Sequence, residues 1–369
     1  MGSGASPAIY WDAASSEPLH PAARAAYLAA LDQGYADPRR LHRAGRSARL
    51  LLDNARAALA EALEVRPDEV SFTASGTAAV HLGLLGLHRG ARGGSIAHTA
   101  VEHSAVLHAV DWAGGGTALP VDAQGRVRIA PPPPGTSVLA VQSANHEVGT
   151  TQPVPDLAGV AGGVPLFVDA CASAGRLPLP EGWAVAAASA HKWGGPAGVG
   201  VLLVRKGARW RHPFPVDERI DERVPGFENV PAALAAAAAL QAVVAEREEV
   251  GARQHALIDR LRSGVSAMPD VDVVGDPTDR LPHLLTFSCL YVDGESLVTE
   301  LDRLGFGVAS GSACTASTLT PSHVLAAMGA LTHGNVRVSL TRDTTAAEVD
   351  AFLDVLPGVV ERLRAEVGH

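Results

Sequence analysis

Lys192 stands in the run Ala188-Ser189-Ala190-His191-Lys192-Trp193-Gly194-Gly195-Pro196, after an apolar stretch and before the Gly-rich segment Gly198–Val204. A lysine at a strand end is usually a surface charge. This one is flanked by Ser189 and His191, which can donate to a phosphate, and by glycines that let backbone approach a ligand. Partial desolvation and nearby cations lower a lysine's pKa enough for nucleophilic attack on a carbonyl. Upstream, Leu166-Phe167-Val168 ends in Asp169. Ligands of open α/β sheets collect at the carboxyl ends of strands, so this acid points to the crevice where Lys192 emerges. Beside such a lysine its task is to keep a pyridinium nitrogen protonated, which makes the ring an electron sink; taken alone, it would read equally as a helix cap.

Phe72-Thr73-Ala74-Ser75-Gly76-Thr77 reads as a strand, a turn and the start of a helix. Gly76 and Thr77 at that helix N-terminus form a phosphate cradle, or, without a phosphate to bind, an ordinary N-cap. His103, in Val101-Glu102-His103-Ser104, is placed to lie on a flat ring and exchange protons with substrate, or else is a satisfied structural histidine. The spacing His98, His103, His108 suggests a metal, but steps of five scatter residues around a helix, and no metal site is expected. Cys314 sits among small residues, Ala309-Ser310-Gly311-Ser312-Ala313-Cys314-Thr315, which suits a mobile thiol that carries a group between sites. Cys289 lies in an apolar stretch and reads as core, and Cys171 as packing beside the pocket. Arg337, alone in the apolar run Asn335–Leu340, needs an anion, and an amino-acid carboxylate matches its fork.

The elements that must hold these residues follow an α/β pattern. Apolar runs at Glu69–Thr73, Ser95–Thr99, Thr136–Gln142, Leu166–Ala170, Ala184–Ala188 and Val199–Val204 alternate with helical stretches such as Arg49–Val65, as in a mostly parallel sheet. Pro131–Pro134 is an extended connector. An Ala-rich helix from Pro231 to about Val265, interrupted near Gly251, carries the chain into a smaller region. There, short strands near Leu284–Ser288, Val308–Ala309 and Val336–Leu340 precede a last helix, Ala346–Val367.

A chain of 369 residues is long enough for a large unit plus a smaller one. A net charge of -9 argues against direct nucleic-acid or anionic-membrane binding. Arg39, Arg40, Arg43 and Arg46 read as a solvated face. Three cysteines without pairing or zinc spacing fit a reducing compartment. The N-terminus lacks a signal-like pattern, and no uninterrupted apolar run approaches roughly 18 residues. The expected location is cytoplasmic.

Together these segments resemble the cysteine desulfurases of the class V aminotransferase group, and the Ser-Gly-Ser-Ala-Cys-Thr run resembles the subclass of nitrogen-fixation and iron–sulfur-cluster desulfurases. The resemblance runs from Ile9-Tyr10-Trp11-Asp12 to the C-terminal helix. It implies an α/β, fold-type I transferase dependent on pyridoxal 5'-phosphate. A large cofactor-binding domain with a mostly parallel seven-stranded sheet (14–250) would join a smaller α+β domain (1–13 and 251–369) carrying the mobile Cys loop. It implies a homodimer, L-cysteine as substrate and a sulfur-acceptor protein. Lys192 would bond the cofactor, Asp169 pair the pyridine nitrogen, and His103 stack on the ring. Gly76, Thr77, Ser189 and His191 would hold the phosphate, Arg337 and Asn145 the substrate, and Cys314 would receive the sulfur. Departures from the pattern are His146 in Asn145-His146-Glu147, where a second Asn is usual; Ala172, where Gln is usual; Phe227, where a Thr lends a hydroxyl to the partner subunit; and Ser16-Glu17-Pro18 for Thr-Thr-Pro. His146 would replace the missing donors to the cofactor's phenolic oxygen. A selenocysteine lyase, an epimerase or aminotransferase of the same fold, and a non-catalytic scaffold are the alternative readings.

Overall fold

The structure is a computed structural model and describes residues 9–91, 93–216, 221–310 and 321–368. Cys314 lies outside the described residues. In chain order the strands are β1 (Ile9–Tyr10), β2 (Val70–Thr73), β3 (Ser95–Thr99), β4 (Gly116–Leu119), β5 (Thr136–Gln142), β6 (Leu166–Asp169), β7 (Trp183–Ser189), β8 (Gly200–Val204), β9 (Val271–Val274), β10 (Leu284–Cys289), β11 (Phe306–Gly307) and β12 (Asn335–Ser339). The helices are α1 (Pro21–Leu31), α2 (Arg43–Ala62), α3 (Gly76–Gly90), α4 (Ser104–Trp112), α5 (Val154–Val160), α6 (Val230–Ser266), α7 (Gly294–Arg303), α8 (His323–Met328) and α9 (Ala346–Glu366).

Strands β5, β6, β7 and β8 are almost wholly buried and apolar, the pattern of strands covered on both faces. They form the centre of a seven-stranded sheet ordered β2-β8-β7-β6-β5-β3-β4. The pairs from β4 through β7 are parallel, and β8 runs antiparallel to both β7 and β2. The ends of β2, β3, β5, β6 and β7 therefore share one edge, where the register sets Gln142 beside Asp169. One face packs on α2 and the first half of α6, through Leu52, Leu59 and Ala232–Leu240; the other packs on α3 and α4, through Leu84, Val106 and Phe167.

A second core joins the three-stranded antiparallel sheet β12-β10-β9, the β1-β11 pair, α7, α9 and the distal part of α6. Trp11 stacks there against Phe306 and Phe352, at centroid separations of 5.9 and 5.3 Å. Helix α6 serves both cores, with Ala232–Leu240 in one and Leu257–Val265 in the other. The interruption expected at Gly251 does not occur: nothing lies near that glycine, and one Gly costs a long packed helix only about 1 kcal/mol. By length and composition α6 would pass for a membrane span, but half of its most apolar stretch is buried in the protein. The short strand expected at Val308–Ala309 falls at Phe306–Gly307, and Ala309 instead bridges to Arg337.

Candidate active site

One cavity at the shared strand edge brings together most of the side chains singled out in the sequence: Gly76, Thr77, His103, His146, Asp169, Ser189, His191, Lys192 and Arg337 all line it. Gly76 and Thr77 arrive together at the start of α3, Ser189, His191 and Lys192 together where β7 ends, and the others each from a separate strand end or turn.

The N-terminus of α3 forms one end. Ser75, in extended backbone, accepts from the amide of Ala78 at 3.0 Å, while Thr73 Oγ1 donates to Ser75 O at 2.8 Å. The first amides of a helix have no partner within it, so this end presents free N–H groups. A Cβ on Gly76 would lie 2.7 Å from Ser189 Cβ and 2.8 Å from its Oγ. Only glycine lets the helix end and the end of β7 close into a cradle. Ser189 Oγ lies 3.1 Å from His191 Nδ1. Burial, then the Lys192 charge, lowers the His191 pKa to about 4, so this imidazole is a neutral hydrogen-bonding group at neutral pH.

Lys192 ends the single turn Ala190–Lys192 that follows β7, and its Nζ donates to the carbonyl of Ala14. The turn is braced from behind. Glu17, buried, donates its amide to His191 O at 2.9 Å and pairs with the partly buried Arg176 at 2.6 Å, and Arg176 Nη2 reaches Lys192 O at 3.4 Å. The reading of the sequence missed this brace; Glu17 in place of the usual Thr was its one visible sign.

Asp169 ends β6, buried, with Oδ1 accepting from the amide of Cys171 at 2.9 Å. Cys171 itself lines the cavity, and burial, with Asp169 beside it, pushes its pKa well above the usual range, so it stays a thiol. Cys289 is buried in the second core, with its pKa raised by burial to about 11.

His103 caps α4: its Nδ1 accepts from the amide of Ala105 at 3.0 Å, which leaves the proton of the neutral ring on Nε2. Its ring meets that of His146 edge-on, with centroids 4.9 Å apart. Burial lowers the pKa of both rings, His146 well below the usual value, with His103 and Arg337 adding to the effect on His146. Two neutral imidazoles therefore face one another over the cavity.

Asn145 does not join them. Its Oδ1 accepts from the amides of Glu147 and Val148, both at 2.8 Å, and its Nδ2 donates to Val101 O at 3.1 Å. Ala144 and His146 line the cavity, while the amide of Asn145 between them closes the turn.

Arg337 enters from β12. Its Nη1 donates to His146 O at 3.1 Å, and its Nη2 to Asp12 Oδ1 at 2.8 Å and Ser15 Oγ at 2.6 Å. Ser15 also lines the cavity, and neither it nor Asp12 stood out in the sequence. On either side of the segment that contains Cys314, the chain is tied to this cavity. Ala309 and Arg337 exchange backbone hydrogen bonds of 2.7 and 3.1 Å. Ser322 donates to Glu147 at 2.6 Å, and His323 Nε2 lies 2.9 Å from Glu102 O.

Among the described residues no group of three or more His, Cys, Asp or Glu side chains is arranged to hold a metal. The cavity offers an anion cradle, a carboxylate, an amine, a pair of neutral imidazoles and a guanidinium. That set suits a flat, phosphate-bearing electrophilic ring and an amino-acid substrate beside it.

The sequence pattern described as Aminotransferase class-V matches residues 9–352. An IscS-like cysteine desulfurase of Mycobacterium tuberculosis is 37% identical over 381 residues, covering 96% of this chain and 97% of that one. A cysteine desulfurase of Cereibacter sphaeroides is 36% identical, covering 97% of each. Among solved structures, a NifS-like protein superposes with a TM-score of 0.88 at 27% identity, over 96% of this chain and all of the other. With its seven-stranded sheet, its strand-edge cavity and a match running nearly end to end, this chain belongs to the class-V aminotransferase family.

Proposed function

We propose that this protein is a cysteine desulfurase that uses pyridoxal 5'-phosphate to convert L-cysteine to L-alanine and takes up the sulfur on Cys314. The single observation that carries the reading is the convergence of Lys192, Asp169, His103 and the α3 cradle on one cavity that Arg337 also lines. When bound, the cofactor supplies an electron sink that makes the substrate's Cα–H acidic. The residues present fit it: Gly76, Thr77, Ser189 and His191 would receive the phosphate, Asp169 the ring nitrogen, and Lys192 the aldehyde carbon.

Asp169 would keep the ring nitrogen protonated. The amine of Lys192 would move the Cα proton, and the neutral His103, its Nε2–H available, would serve proton transfer beside the substrate. His146 is a second neutral donor on that side. Cys314, as thiolate, attacks the substrate sulfur: the S–S bond forms as the substrate C–S bond breaks, leaving a persulfide on the protein and, after proton return to carbon, alanine. A homodimer in the cytoplasm, passing the persulfide sulfur to an acceptor protein, completes the proposal. The exposed Leu28, Leu31, Tyr35 and Leu41 offer apolar surface for the subunit contact.

Purified protein loaded with the cofactor and given L-cysteine should release alanine and gain the mass of one sulfur atom on the peptide containing Cys314. The Cys314→Ala variant should keep the bound cofactor's absorption and lose the adduct. A wild-type protein that binds no cofactor and forms no alanine would end this reading.

A further inference from the structure

A guanidinium grips a carboxylate at two points in one of two ways, through Nη1 with Nη2 or through Nε with Nη2. Both use Nη2. In Arg337, Nη2 is already engaged by two acceptors, Asp12 Oδ1 at 2.8 Å and Ser15 Oγ at 2.6 Å. Ser15 is in turn held by its own hydrogen bond to Asp12 Oδ1, at 2.8 Å. Nη1 spends one hydrogen on His146 O. Nε is buried and has no hydrogen-bond partner among the described residues. A carboxylate arriving in the cavity thus meets Asp12 and Ser15 on the nitrogen that either fork needs, and competes with them for it. Asp12 is the harder to move: it is a full charge in a charge-assisted bond, and the backbone of Asp12 is bridged to Ser339. Ser15 contributes a neutral hydroxyl.

We propose that Ser15 is a substrate-affinity determinant: its hydroxyl, aligned by Asp12, occupies the Nη2 edge that the substrate's carboxylate needs, and the substrate binds by displacing it. Asp12 stays in place and fixes the guanidinium plane. This rests on the reading of the cavity as an amino-acid site. Ser15 acts through Arg337, so its effect is confined to ligands that carry a carboxylate.

The test titrates cofactor-loaded protein with L-alanine and with ethylamine, the same amine without the carboxylate, following the absorption of the bound cofactor. Ser15→Ala should tighten L-alanine about fivefold, the size of one modest hydrogen bond, and leave ethylamine unchanged. Ser15→Gly, which frees the same N–H, should do likewise, and thermal unfolding identifies a variant that does not fold. In an Arg337→Lys background, which has no Nη2, Ser15→Ala should change neither ligand. Unchanged or weaker L-alanine binding in both Ser15 variants, or an equal shift for ethylamine, overturns the role of Ser15 while cysteine turnover by the wild type still stands. A wild type that binds neither amine and makes no alanine from cysteine overturns the amino-acid reading, and the Ser15 role with it.

Discussion

On one side of the cavity, Asp169, Ser189 and Lys192 stand at the ends of neighbouring strands of the large sheet, and the β5–β6–β7 register fixes each relative to the next. On the other, Arg337 comes from the small sheet and is held by Asp12, a residue 325 positions away in sequence. The first wall is set by backbone hydrogen bonds between buried apolar strands, so its side chains have little freedom. The second is set by side-chain contacts between the two ends of the chain. On the proposed function, the contrast teaches a division of labour: cofactor chemistry would rest on the rigid wall, and substrate affinity would be set where the contacts can exchange.

Breaking the rigid wall should have the largest effect. Lys192→Ala removes both the bonding amine and the proton carrier at Cα, and alanine formation from cysteine should fall by about 10³-fold or more. The absorption of the lysine-bound cofactor should vanish with it. A variant that kept both would show that the strand edge is not the cofactor wall.

Arg337→Lys tests the other wall. A lysine can still pair with Asp12 but offers no fork. KM for cysteine should rise about 10- to 100-fold, the worth of a hydrogen bond to a charged group, with the cofactor absorption preserved. An equal loss in kcat with KM unchanged would mean that the two walls do not divide the work in this way.

Gly76→Ala probes the junction of α3 with β7. The added methyl meets Ser189 at 2.7 Å, and relieving it means opening the cradle. Affinity for the phosphorylated cofactor should fall about tenfold, measured by equilibrium titration, whereas the unphosphorylated aldehyde should bind almost as before.

The rigid wall was also the legible one. Strand β6 ending in Asp169, β7 running into His191-Lys192, and β2 turning through Gly76 into α3 are local patterns, in which chemistry-bearing residues sit where a strand stops. The second wall was half visible. Arg337 stood out as a charge in an apolar strand, but its partners Asp12 and Ser15 could not be named, because no local rule joins residues so far apart. The placement of Asn145 was not legible for a related reason. Its sequence neighbours line the cavity, yet in a tight turn alternate side chains diverge, and this one closes the turn through two amides. The break expected in α6 failed because packing of both halves against separate cores outweighs one glycine. For Cys314 the sequence alone speaks, since that residue lies outside the described ones.

The smallest effect on activity is expected beneath the rigid wall, at Glu102. It is fully buried, with Oε1 accepting from Thr99 Oγ1 at 2.5 Å and from the amide of Gln142 at 2.8 Å, while Oε2 has no partner among the described residues. Burial raises its pKa from 4.5 to about 8, so the folded protein holds a proton there that the unfolded chain gives up. A raised folded-state pKa contributes stability in full below the unfolded value and loses it as pH climbs toward the folded one. Stability of the wild type should therefore decline between about pH 4.5 and 8 on account of this group. Glu102→Gln keeps the Oε1 acceptor and carries no titrating proton. Its unfolding free energy relative to wild type should rise across that window by about 2 kcal/mol, below the ceiling of about 1.4 kcal/mol per pH unit, with turnover nearly unchanged. Denaturant unfolding at pH 5 and pH 8 reads the difference directly. A gap that stays constant between the two, or a large loss of activity, would show that the carboxyl is ionised in the folded protein and belongs to the chemistry of the wall rather than to its support.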